Sequence, residues 1–97
     1  MQGDHMGITV FDKPNCPQCA ATERRLAQLG IEFDVVDLSR NPQTLAQLVE
    51  AGYRQAPVVI TPYATWSGHR PDLIDDLAQQ LEAHRLETSA AQQGRMA

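Results

Sequence analysis

Gly7-Ile8-Thr9-Val10-Phe11-Asp12-Lys13-Pro14-Asn15-Cys16-Pro17-Gln18-Cys19 carries both cysteines of the chain at the point where an extended run gives way to a helical one. Ile8, Thr9 and Val10 predict a strand over Gly7 to Phe11, which the turn-forming cluster Asp12 to Asn15 ends. Pro17 suits the first turn of a helix, where its missing N–H would be unpaired anyway. Cys16 therefore falls at the N-cap, where unpaired amides and the positive end of the helix dipole favour an anion, and Lys13 adds positive charge nearby. Thiols react as thiolates, so Cys16 reads as the attacking sulfur. Cys19, inside the first turn, reads as the more buried, resolving one. A metal or cluster site and an inert pair are the alternatives. Tetrahedral zinc wants four ligands, and His5, His69 and His84 do not form a second ligand pair.

Outward from the cysteines, Pro17 to Leu29 predicts a helix with Cys19, Glu23, Leu26 and Leu29 along one flank, stopped by Gly30. Ile31 to Leu38 predicts a second strand with Ile31, Phe33 and Val35 on its more buried face. Asn41 and Pro42 open a second helix striped by Leu45, Leu48 and Val49 and closed at Gly52. Ala56 to Ile60 is an apolar run of strand length with Pro57 at its start; by itself it favours an ordinary trans bond. Thr61-Pro62-Tyr63 turns into a partner strand near Ala64 to Trp66. After the loop Ser67 to Arg70, Pro71-Asp72 opens a last helix striped by Leu73, Ile74, Leu77, Ala78 and Leu81, fading near His84 to Leu86. Met1 to Met6 reads as a tag remnant and Glu87 to Ala97 as a disordered tail, which leaves one domain over 7–86. The order βαβαββα around a CxxC predicts an α/β thioredoxin fold, a central mixed four-stranded sheet flanked by three helices. Trp66 is a core residue by default, yet its place before Ser67-Gly68 argues for partial exposure, and His69 and Arg70 read as solvated.

With 97 residues the chain has room for one modest core. A net charge of −4 supplies no basic stripe, which argues against nucleic acid. No apolar stretch approaches the ~20 residues that span a bilayer, and no secretory leader is visible, so a reducing cytoplasm is the expected setting; a monomer is the expected state. In that setting a CxxC reads as catalytic or metal-binding rather than as a structural staple.

Cys16-Pro17-Gln18-Cys19, Gln55-Ala56-Pro57-Val58-Val59 and Trp66-Ser67-Gly68-His69-Arg70-Pro71-Asp72, in register, resemble the NrdH redoxins, which are glutaredoxin-like in sequence. The similarity runs from about Gly7 to Leu81. It implies an electron donor to the large subunit of class Ib ribonucleotide reductase, re-reduced by NADPH-dependent thioredoxin reductase rather than by glutathione, with no bound cofactor and no metal. It also implies that Cys16 is the nucleophile, Cys19 the resolving thiol and Pro57 a cis-proline beside the disulfide. Trp66, Ser67, Gly68, His69, Arg70, Pro71 and Asp72 would then form a loop occupying part of the glutathione site of glutaredoxins. His69 stands where the family usually has an aromatic residue, commonly Phe. A glutathione-dependent glutaredoxin is the rival function: Arg70 and Lys13 could meet glutathione carboxylates, although Pro71 removes one amide.

Overall fold

In the computed structural model the described residues are 7–96, with side chains described to Leu86, so the expected tag remnant lies outside them. The described elements run β1 (Thr9–Asp12), α1 (Pro17–Gln28), β2 (Asp34–Asp37), a 3-10 turn (Leu38–Arg40), α2 (Pro42–Glu50), β3 (Val58–Ile60), β4 (Thr65–Ser67) and α3 (Pro71–Met96). The strands form one sheet in the order β2-β1-β3-β4. β1 and β2 are parallel, whereas β3 is antiparallel to both β1 and β4. This is the expected βαβαββα arrangement.

Pairing of Val10 with Val59, and of Val59 with Trp66, puts these three side chains in one row across the sheet. All three are buried and cluster with Leu26 of α1 and with Ile74 and Leu77 of α3. Alternation along a strand sends Val58 to the opposite face, toward α2. That face is covered more loosely: among the described residues α2 buries no side chain, and Leu45 and Val49 remain exposed beside a groove that Leu38 and Val58 also line. The heavier packing therefore lies between the sheet and the α1/α3 pair, which an ion pair of 2.9 Å from Arg25 to Asp75 also joins. Both partners are substantially exposed, so the pair contributes little.

Several boundaries differ from the sequence expectation. β2 is shorter because Ile31 is buried ahead of the strand and Leu38 is buried in the 3-10 turn after it. Val35 is half exposed rather than buried, since β2 is an edge strand whose outer neighbour is solvent. Asn41 precedes α2 as expected but makes no side-chain cap; its Nδ2 donates instead to the Asp37 carbonyl at 2.8 Å. α3 does not fade near His84 to Leu86 but continues to Met96. The added stretch lacks an apolar stripe in sequence but includes the helix-favouring Ala90, Ala91, Gln92 and Gln93.

Candidate active site

β1 delivers the chain to the base of α1, where Asn15 takes a left-handed conformation (φ 56°) that asparagine tolerates better than most side chains. This turn aims Cys16 at the N-cap of α1, with Pro17 in the first turn. The Cys19 amide donates to Cys16 Sγ at 3.2 Å. An amide aimed at sulfur, at the positive end of a helix, stabilises the thiolate that appears when the bond is reduced. Cys16 and Cys19 are joined as a disulfide with their Cα atoms 5.2 Å apart. Cys16 is half-buried and Cys19 only 3% exposed, so the outer sulfur is the more accessible of the two.

Ala56-Pro57 is cis, in agreement with the resemblance and against the unaided reading of the run. The Ala56 carbonyl oxygen lies 3.8 Å from Cys16 Sγ, which places the start of β3 beside the outer sulfur. On the other side of Pro57, its carbonyl accepts from the Gly68 amide at 2.8 Å. The loop before α3 is thereby tied to the active-site wall.

That loop also grips α1. The His69 amide donates to Gln18 Oε1 at 3.3 Å, and His69 Nδ1 lies 2.9 Å from the buried Thr22 hydroxyl. His69 is thus half-buried and anchored rather than solvated. Trp66 is a second correction: it is 5% exposed and belongs to the core, because Ser67 still lies in β4 and the loop begins only after it. Arg70 is exposed as expected but occupied, donating through two nitrogens to both carboxylate oxygens of Asp72 at 3.1 and 2.9 Å. This bonding holds the Asp72 carboxyl below the usual carboxylate range. Pro71 is the first residue of α3, and Lys13 is exposed at the mouth of the cavity that Cys16 lines.

Gly68 has φ +81°, and a Cβ there would stand 2.8 Å from Gln55 Oε1 and 3.5 Å from Gln18 Oε1. Gly68→Ala is expected to cost about 1–2 kcal/mol for the left-handed backbone, with the Gln55 amide displaced in addition. A thermal melt checks the loss; an unchanged melting temperature contradicts it.

Two residues of the site were not singled out by sequence. Asp12 and Glu23 line the cavity of about 560 Å³ that also exposes Cys16 and Cys19. Burial above all, then a hydrogen bond to Asp12 and repulsion from its charge, raises Glu23 from 4.5 to about 7. The available signal was a glutamate on the apolar flank of α1, four residues after Cys19.

Comparison with known proteins agrees with this geometry. The Glutaredoxin family model matches residues 8–62. A glutaredoxin-like protein NrdH from Escherichia coli K12 is 40% identical over 72 residues, covering 74% of this chain and 89% of that protein. The chain belongs to the NrdH group of glutaredoxin-like proteins. Its relative from Lactococcus lactis subsp. lactis is 34% identical over 71 residues, covering 73% of this chain and 99% of the relative. The solved NrdH-redoxin of E. coli, described as having a thioredoxin-like activity profile, superimposes with a TM-score of 0.72 over 74% of this chain and 95% of its own. The fold is thus the thioredoxin fold, and the Cys16–Cys19 pair is that of a thiol–disulfide oxidoreductase. No helix among the described residues is long and apolar enough to cross a membrane.

Proposed function

We propose that this redoxin carries electrons to the large subunit of class Ib ribonucleotide reductase and is itself re-reduced by NADPH-dependent thioredoxin reductase. It works as a monomer in a reducing cytoplasm and needs no bound cofactor, because the reduced Cys16/Cys19 dithiol carries the electron pair and gives it up as the disulfide forms. Cys16 attacks the partner's disulfide, and Cys19 then displaces the partner by closing the intramolecular bond. Lys13 favours the Cys16 thiolate, and Pro57 shapes the wall against which the partner chain lies.

The observation that carries the choice of reductant is the state of Arg70. Glutathione presents two carboxylates, and Arg70 is one of two cations that could receive them; both of its donating nitrogens are turned onto Asp72. The loop is also tied to Gln18, between the two cysteines, and to Pro57, next to the residue whose carbonyl lies beside Cys16. The thioredoxin-like activity profile of the E. coli NrdH-redoxin supports the same choice. The test couples the protein to NADPH, thioredoxin reductase and a protein disulfide and follows NADPH oxidation. Turnover is expected there, and it should be far slower with glutathione and glutathione reductase. The reverse order would make the protein a glutathione-dependent glutaredoxin.

A further inference from the structure

Cys19 and Glu23 are four residues apart on α1, so they occupy the same face of the helix one turn apart. On β1, Asp12 is two residues beyond Val10 and points to the same side of the sheet, the side that α1 covers. Both carboxyls open onto the cavity that Cys16 and Cys19 line. Glu23 Oε2 is fully buried and receives no hydrogen bond from a donor group among the described residues. Two facing carboxyls bond to each other only while they share a proton, and an isolated buried carboxylate oxygen is costly. The site is thus built to take up a proton beside the inner sulfur.

The geometry points to Glu23, paired with Asp12, as the proton acceptor for Cys19 in the step that releases the partner. The inference rests on dithiol exchange alone and not on which reductase or reductant acts. Burial of Cys19 opposes formation of its thiolate, whereas attack requires it. In the mixed disulfide, the Glu23 carboxylate removes the Cys19 thiol proton. Cys19 Sγ then bonds to Cys16 Sγ, and the bond between Cys16 and the partner's sulfur breaks. The electron pair of that bond leaves on the partner's sulfur, which takes a proton from solvent. Two electrons have passed from the dithiol to the partner's disulfide, and Glu23 is left neutral, sharing its proton with Asp12 until water removes it.

The charged groups around Glu23 suit this role. Asp12 and Lys13 share its cavity from the end of β1. From α3 and the preceding loop, Asp75 and His69 reach α1 but are held by Arg25 and Thr22. The elevation of Glu23 to about 7, caused first by burial, leaves it divided between acid and base near neutrality, where a proton acceptor is most effective.

The test mixes reduced protein with an aromatic disulfide that releases one coloured thiolate when Cys16 attacks and a second when Cys19 resolves. Rapid mixing separates the phases. The second phase should accelerate as pH rises through about 7, because the carboxylate form does the work. Glu23→Gln should slow that phase by about 10-fold or more at neutral pH and erase the inflection, with a much smaller effect on the first phase. Asp12→Asn should move the inflection to lower pH by removing the repulsion and the shared proton. Equal slowing of both phases, an inflection that survives Glu23→Gln, or one that Asp12→Asn does not move would each overturn the assignment. A fold check accompanies it. Folding favours the neutral form of Glu23, so its contribution to stability is present at low pH and lost as pH rises from 4.5 through about 7. The Glu23→Gln protein should melt above the parent at pH values beyond that range, and so remains folded for the kinetic test.

Discussion

Cys16→Ser is expected to reduce disulfide reductase activity by about three orders of magnitude or more while leaving the fold intact. A serine hydroxyl neither ionises near neutrality nor forms an exchangeable bond with sulfur, so the first step has no nucleophile. The two effects separate cleanly because position 16 is the N-cap of α1. Serine is among the best N-cap residues, since its hydroxyl accepts from the same kind of amide that now points at Cys16 Sγ. Compared with the reduced parent, the variant should therefore show little change in melting temperature. Reductase turnover and a melt on the same sample check both halves. Retained turnover would mean that Cys19 can attack unaided, which its near-complete burial opposes. The complementary Cys19→Ser variant should instead accumulate a mixed disulfide through Cys16, visible as an added mass on incubation with an oxidised partner.

What could be read from sequence was what depends on neighbours in the chain. The turn after β1, the N-cap at Cys16 and the proline after it are local and lie where the residues place them, except that Asp12, read as the first turn residue, is the last residue of the strand. The Leu26, Ile74 and Leu77 stripes likewise announce helix faces by their spacing. The readings that failed depend on residues far apart in sequence. Whether Val35 is covered depends on its strand being at the edge, which only the pairing order decides. The fate of Ile31 and Leu38 depends on where that strand's partner ends, so an apolar alternation eight residues long yielded a four-residue strand. His69 looked solvated because its partner, Thr22, lies 47 residues away. Asp12 and Glu23 face each other through the parity of β1 and the phase of α1 together, and neither period alone reveals the pair.

Trp66 provides the second large effect, and one whose sign separates two roles. If the indole were a platform for a partner, its removal would leave the fold alone and change turnover. The structure instead places it opposite Val59 on β4, 5% exposed, within the cluster that joins the sheet to α1 and α3. Truncating a buried tryptophan to alanine costs about 3–5 kcal/mol. A domain of this size has roughly 5–10 kcal/mol in total. Trp66→Ala should accordingly remain folded only marginally, with a denaturation midpoint shifted far below the parent's. Trp66→Phe is the informative companion. The indole Nε1 is buried with no acceptor among the described residues, so the present side chain already carries an unsatisfied donor. Phenylalanine loses some apolar area but also removes that penalty, and the two terms, each about 1–2 kcal/mol, oppose one another. The Phe variant should thus unfold close to the parent and keep its reductase kinetics. A well-folded Trp66→Ala protein with impaired turnover would place the indole at the partner surface instead. The loop that follows would then owe its position to Gly68, Gln18 and Thr22 without the core beneath it.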